Sequence, residues 1–384
     1  MIRSVKLGAA QGRKAILSHK IFGMTNTLFV TDEKIWQNCQ KFFPENFLEK
    51  HKKNLFLEDP KPNENNLKII AKAIKNCDFI LALGSGTIND LCKFTSAQKK
   101  IPYTVFASAP SMNGYLSKNA SITILGHKKT LPATLPKAVF YDLRILKSAP
   151  LRLIKAGIGD SLCFYSCWFD WYLSHKFLGT EFNNKPFELL REKMEFFVKN
   201  FRKFSLRDEE FLQLLMEILL LSGEGMTMAG GSYPASQSEH LIAHAIEMKY
   251  PEIAEKKLHG EMIAVTTLTS ARLQKELLQS VIPTIQLQSS SKSRGDFFSV
   301  KIAKQCEEEY RQKLTLKPKK VDWQKLKQEL QKIHLDESHL KEIFAHFKIK
   351  TSARSLGLSS QQYQDCVVNA KLIRNRFTCL DLIQ

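Results

Sequence analysis

Residues 77–99 constrain the fold more than any other stretch. The apolar run CDFILALG passes without a spacer into GSGTIND and then into LCKFTSAQK. A short, continuously apolar run that ends on glycines and opens a helix reads as a buried strand of a parallel sheet with its crossover helix. Similar apolar runs recur at TNTLFVTD (ending at Asp32), PYTVFASAP and AVFYDLRIL, so residues 1–148 are expected to form an α/β domain with a parallel, Rossmann-like sheet. Strand, glycine turn and helix together make a phosphate cradle. The glycines let the backbone come close, and the first helical amides carry partial positive charge. No lysine follows at the Walker offset, so a P-loop is excluded. Asp32 has two readings, a ligand for ribose hydroxyls or the N-cap of the helix that follows.

The second feature is SEHLIAHAIE. His240 and His244 are four apart, which puts both imidazoles on one helix face, and His259 follows in HGE. Histidines at this spacing can also be ordinary surface or core residues. Two imidazoles hold a divalent ion poorly, and an open catalytic site adds a third ligand that is often a carboxylate. The candidate is Asp160, in AGIGDSL. Such a donor set suits zinc first and also nickel or iron.

From Ala149 onward the apolar spacing becomes helical, which predicts an all-α domain over 149–384, with a polar, lysine-rich connection at 286–320. The formal charge of +19 would suit nucleic acid, an anionic membrane face or phosphorylated small molecules. No recognition motif accompanies the lysines, so they read as solvated helix faces that steer anionic substrates. Eight scattered cysteines without CxxC pairs indicate reduced thiols, and cytoplasmic residence is expected. No membrane-spanning run or leader segment is expected. His334, His339 and His346 read as surface or packing residues.

Five blocks in order, GSGTIND, APSMNGYLSKNASI, GDSLCFYSCWFDW, PASQSEHLIAH with HGE, and RNRFTCLD, resemble the iron-containing alcohol dehydrogenase and dehydroquinate synthase superfamily. Within it they look most like the sn-glycerol-1-phosphate dehydrogenase branch. The resemblance implies the dehydroquinate synthase-like fold and a nicotinamide dinucleotide held by Gly84, Ser85, Gly86, Thr87, Ile88 and Asp90. Ser108, Ala109, Pro110, Ser111 and Ser117 are implied to complete that cofactor site. NAD is favoured over NADP because Asp32 would repel a 2′-phosphate. One divalent metal is implied on Asp160, His240 and His259, with Asn113, Asp160 and His244 toward the substrate and His244 catalytic. The nicotinamide is expected in the cleft between the domains.

The implied reaction interconverts dihydroxyacetone phosphate, a small phosphorylated substrate, and sn-glycerol-1-phosphate; the sequence leaves the oligomeric state open, a homo-oligomer included. Three residues depart from the branch: Asn113 replaces an aspartate, Phe164 a lysine and Tyr233 an arginine. They keep open a related dehydrogenase of another polyol or phosphosugar. A dehydroquinate synthase-like cyclase fits less well, because its acidic ligand is glutamate. A basic, non-enzymatic nucleic-acid-binding protein that retains the fold is the alternative from another class.

Overall fold

The computed structural model describes residues 3–7, 26–124, 127–281, 297–315 and 317–382. Among the described residues there are eight strands: β1 (Arg3–Leu7), β2 (Thr27–Asp32), β3 (Lys53–Leu57), β4 (Phe79–Gly84), β5 (Tyr103–Ala107), β6 (Asn119–Ile124), β7 (His127–Pro132) and β8 (Ala138–Asp142). Six of them form a parallel sheet in the order β1-β8-β5-β4-β2-β3. The chain steps outward from β2 to β3, then returns past β2 to β4 and proceeds the other way. The strand order therefore reverses between β2 and β4, and a doubly wound sheet opens its ligand crevice at the carboxyl ends of such a pair. Those ends are Asp32 and Gly84. Thr31 pairs with Leu83, and its hydroxyl donates to the Leu83 carbonyl at 2.8 Å, which locks the two ends in register.

β4, β5 and β8 are buried along their whole length, as their unbroken apolar runs require. β3 is an edge strand that opens on Lys53 and Asn54 and exposes Asn54 and Phe56, so it is only partly buried. β6 and β7 form a separate antiparallel hairpin. It is held to the Gly86–Lys99 helix by Asp90, which accepts the Ser121 amide at 3.0 Å, and by the buried Lys93, which donates to the carbonyls of Gly114 and Asn119.

The C-terminal part is helical, as expected. By packing, the chain divides into Met1–Gly157 with Phe204–Thr227, and Ile158–Lys203 with Met228–Gln384. The expected 148/149 boundary lies nine residues before this division, which falls inside the Leu151–Ser161 helix. The segment 204–227, expected in the helical domain, packs with the α/β unit. A Cβ on Gly223 would meet the Asn113 carbonyl at 2.6 Å, and the Thr227 hydroxyl donates to the Leu116 carbonyl at 2.9 Å.

Two further segments bear on the expectations. The Glu209–Met228 helix is long and apolar enough to pass for a membrane span, with a hydropathy of 1.3. Of that stretch 56% is buried inside the protein, so its apolar side chains serve the core. Within 286–320, a helix runs over Val300–Leu314, while 282–296 and 316 lie outside the described residues.

Candidate functional site

Asp160, His240 and His259 converge inside the helical unit. Three helices carry them: Leu151–Ser161, Ser238–Lys249 and His259–Gln279. Two glycines bring the first and third together. A Cβ on Gly159 would stand 2.1 Å from the Gly260 carbonyl oxygen and 3.0 Å from Ala264 Cβ, so the backbones touch there and Asp160 is pressed toward His259. Glu261 sets where the third helix starts, because its carboxylate accepts the Leu258 amide at 2.9 Å. The middle helix is fixed by Asp170, which accepts the amides of Ser238 at 3.2 Å and Cys379 at 3.1 Å. This gives the DW block and the terminal RFTCLD block their structural meaning. Burial pushes the Asp170 carboxyl up to about 7, against those bonds.

The donor atoms are already spaced for a metal. Nε2 of His259 lies 3.2 Å from Nε2 of His240 and 3.7 Å from Oδ1 of Asp160, and all three atoms lie within 4.8 Å of one another. Bonds of about 2.0–2.2 Å at a tetrahedral angle put neighbouring ligand atoms roughly 3.3–3.6 Å apart. Asp160 and His240 are buried and His259 is partly open, the pattern of a site with an accessible side. Two imidazoles and one carboxylate fit a divalent ion with room for a substrate oxygen.

A residue that the sequence reading passed over orients the set. Glu239 Oε1 lies 2.7 Å from Nδ1 of His240 and also accepts the Gln237 amide at 2.8 Å and the Cys167 thiol at 3.1 Å; its Oε2 takes the Ser166 hydroxyl at 2.7 Å. Burial raises the Glu239 carboxyl, but the bonds from His240, Gln237 and Cys167 outweigh it and hold it at about 2. A carboxylate there takes the Nδ1 proton of His240 in a hydrogen bond, leaving Nε2 as the lone pair that faces His259 and Asp160. The signal was a glutamate immediately before the histidine, a spacing that helix-face patterns do not flag.

His244 follows His240 one turn on, with ring centroids 6.1 Å apart. Its Nδ1 lies 2.9 Å from Glu247 Oε2. Burial and the Arg374 guanidinium push it down to about 4 against the pull of Glu247, so the ring is neutral at pH 7.

In the α/β unit, the Gly86–Lys99 helix starts without a side-chain cap, which leaves its first amides to an outside acceptor. The two glycines of the turn differ. A Cβ on Gly84 would lie 2.4 Å from Ile88 Cβ, whereas one on Gly86 meets only Met112, at 3.6 Å. Gly84 is therefore needed for strand-to-helix packing, and Gly86 faces open space. Ser85 and Thr87 flank that space, while Ile88 is buried under Gly84.

Asp32 adopts the N-cap reading, accepting the Lys34 and Ile35 amides through Oδ1 at 2.7 and 3.2 Å. The segment Ser108–Ser111 follows β5, with the Ser108 amide donating to the Gly84 carbonyl at 3.0 Å; Ala109 accepts from the Tyr115 hydroxyl at 2.8 Å, and the Pro110 carbonyl packs on Gly157. Ser117 accepts the Asn119 amide at 3.1 Å. Asn113 belongs to this unit too, and its amide donates to the Ser222 hydroxyl at 3.3 Å.

The departures have structural partners. Phe164 is buried in an aromatic cluster with Tyr165, Trp168 and Phe187, where a lysine would leave a charge unpaid for by water. Tyr233 stacks on Trp171 at 5.5 Å, and the Arg376 guanidinium lies 4.7 Å from the centre of its ring. Arg376 donates to the Ser232 hydroxyl and the Ser236 carbonyl, so the loop keeps a cation despite losing its own. Trp171, Tyr233, Gln237 and Arg376 line a cavity of about 400 Å³. The histidines that were set aside do pack: the rings of His334 and His339 lie 3.0 and 3.3 Å from the carbonyls of Ala271 and Val198, and His346 sits edge-on to Phe201.

The chain is similar to several known proteins. The profile of the family described as iron-containing alcohol dehydrogenase matches residues 4–150. A glycerol-1-phosphate dehydrogenase [NAD(P)+] of Thermococcus sibiricus is 35% identical over 248 residues, covering 63% of this chain and 68% of the relative. The Bacillus subtilis protein of the same name is 34% identical over 206 residues, 53% of this chain and 52% of the relative, so the chain spans about half of that relative's length. Among solved structures, maleylacetate reductase from Rhizobium sp. superposes with a TM-score of 0.65 over 96% of this chain and 89% of that one, at 13% identity, which speaks for the fold alone.

Proposed function

The chain belongs to the glycerol-1-phosphate dehydrogenases of the iron-containing alcohol dehydrogenase family, and from that premise we propose that it interconverts dihydroxyacetone phosphate and sn-glycerol-1-phosphate with NAD(P) and a bound metal ion. The observation that carries the reading is the set of donor atoms on Asp160, His240 and His259, at 3.2 and 3.7 Å from the shared Nε2 of His259. We assign zinc to it, with nickel and iron as alternatives, because two imidazoles and a carboxylate suit borderline cations.

When bound, the ion supplies Lewis-acid stabilisation of the charge that develops on the carbonyl oxygen, and NADH supplies the hydride. The rest is the work of the protein's own residues. Glu239 keeps His240 in the tautomer that offers Nε2. His244, neutral and oriented by Glu247, takes the hydroxyl proton in oxidation and returns it in reduction. The first amides of the Gly86–Lys99 helix hold the dinucleotide's pyrophosphate, and Ser108–Ser111 and Ser117 flank it. Asp32, at the end of β2 on the reversal of strand order, favours NAD over NADP through its charge. The eight free cysteines support a reducing, cytoplasmic setting.

The test is NADH oxidation by zinc-loaded protein with dihydroxyacetone phosphate, against unphosphorylated dihydroxyacetone. Turnover of the phosphorylated ketone is expected. If it is inert while other ketoses react, the substrate assignment fails; if no ketose reacts with fully metallated, NADH-binding protein, the dehydrogenase reading fails.

A further inference from the structure

The imidazole of His240 has two faces, and only one looks toward Asp160 and His259. On the other side its Nδ1 meets Glu239 at 2.7 Å, and two cysteines stand behind that carboxylate. Cys163 and Cys167 are one turn apart where the Phe164–Leu178 helix begins. Cys167 Sγ lies 3.1 Å from Glu239 Oε1, and Cys163 Sγ lies 3.1 Å from the Asp160 carbonyl. One donor atom from each of Cys163, Cys167, Glu239 and His240 falls within 4.8 Å of the other three, and all four residues are buried.

We propose that Cys163, Cys167, Glu239 and Nδ1 of His240 form a second metal site, for a thiophilic divalent cation such as zinc or cadmium. Two thiolates, a carboxylate and an imidazole nitrogen, closed off from water, make a four-coordinate structural set with no position left for substrate. Zn–S bonds of about 2.3 Å at tetrahedral angles separate two sulfurs by roughly 3.8 Å, within the spacing found here. Metal uptake replaces the two thiol protons, which leave to solvent. Coordination at Nδ1 would release that nitrogen's proton to solvent as well, while Nε2 would stay directed at Asp160 and His259. The second ion then does for His240 what Glu239 does alone in the metal-free protein: it fixes the ring. This inference stands on the geometry of the helical unit and not on the dehydrogenase reading.

The experiment is a cobalt(II) titration of reduced, metal-free, full-length protein, following the near-ultraviolet thiolate-to-cobalt charge-transfer band and the metal content after gel filtration. Wild type should show the band and retain two ions per chain. Cys163→Ser/Cys167→Ser should lose the band and retain one, with the metal-free form still folded by its circular-dichroism spectrum. Asp160→Asn should keep the band while losing the other ion. A wild-type protein that binds cobalt without a thiolate band overturns the proposal, as does a band that survives in the double serine variant. Failure of Asp160→Asn to lose an ion counts instead against the first site and leaves the second intact.

Discussion

Gly159 lies so close to Gly260 that a single methyl group on it would stand 2.1 Å from the Gly260 carbonyl oxygen. The contact is between backbones, so no side chain can turn aside to relieve it. It also sits next to two of the three candidate ligands, Asp160 and His259. Gly159→Ala must push the two helices apart, at a cost of about 1–3 kcal/mol for overpacking. Metal affinity should fall with it, because the 3.7 Å separation of Asp160 and His259 widens. Thermal melts and zinc titration check this; undiminished zinc affinity in the variant would sever the link between this contact and the site.

The two glycines after β4 should respond in opposite ways. At Gly84 an added Cβ strikes Ile88 at 2.4 Å, so Gly84→Ala should damage folding itself. At Gly86 the nearest neighbour is 3.6 Å away, so Gly86→Val should fold and melt near the wild type. Its branched side chain would fill the space proposed for the pyrophosphate, and NADH affinity should drop at least a hundredfold, about 2.7 kcal/mol. Calorimetry showing wild-type NADH affinity in Gly86→Val would remove the turn from the cofactor site.

What was legible in the sequence follows a physical division. β4, β5 and β8 are buried on both faces and read as unbroken apolar runs, and the i,i+4 histidines announce a shared face. β3 is a five-residue edge strand that opens on the polar Lys53 and Asn54, and β6 and β7 mix serine, threonine and lysine, so none of them produces an apolar run long enough to notice. The three candidate ligands were each identifiable as residue types, but their convergence depends on Gly159 meeting Gly260, a contact between positions about a hundred residues apart. Glu239 was missed because neighbours in a helix do not share a face; it reaches His240 only because the helix begins there. Asp32 reads equally as cap and as ribose ligand, and the capping bonds are those the structure contains.

His51 offers a stability prediction far from the chemistry. It is stacked on Phe29 at 5.6 Å and edge-on to Phe47 at 4.9 Å, and neither ring nitrogen has a hydrogen-bond partner among the described residues. Burial, aided by Lys50, pushes its pKa down to about 4. Below about 6.5 the unfolded chain takes up a proton that the folded protein refuses. Stability linked to this group is therefore complete above pH 6.5 and lost as pH falls toward 4, up to about 3 kcal/mol. His51→Phe removes both the unsatisfied nitrogens and the proton, and should stabilise by about 1–2 kcal/mol at pH 7. Urea midpoints at pH 7 and pH 4.5 test it: the advantage of the variant must grow at the lower pH, and an equal advantage at both would refute the assignment.

The last prediction concerns His244, which shares a helix with His240 but points Nδ1 at Glu247 rather than at the candidate ligands. A histidine that only packs would, when truncated, lower stability and leave the rate of the metallated enzyme alone. A histidine that moves the hydroxyl proton would do the reverse, and general acid–base groups contribute about 10²–10⁴-fold to rate. His244→Ala should therefore lower kcat within that range while zinc content and NADH affinity stay near wild type, because neither Asp160, His240 and His259 nor the turn at Gly86 is touched. Glu247→Gln is the companion variant. It keeps the side chain's shape and a hydrogen-bond acceptor but removes the charge, so it should give a smaller loss of kcat with the same metal content. If His244→Ala instead loses zinc along with activity, His244 belongs to the metal site, and the proton must be moved by another group.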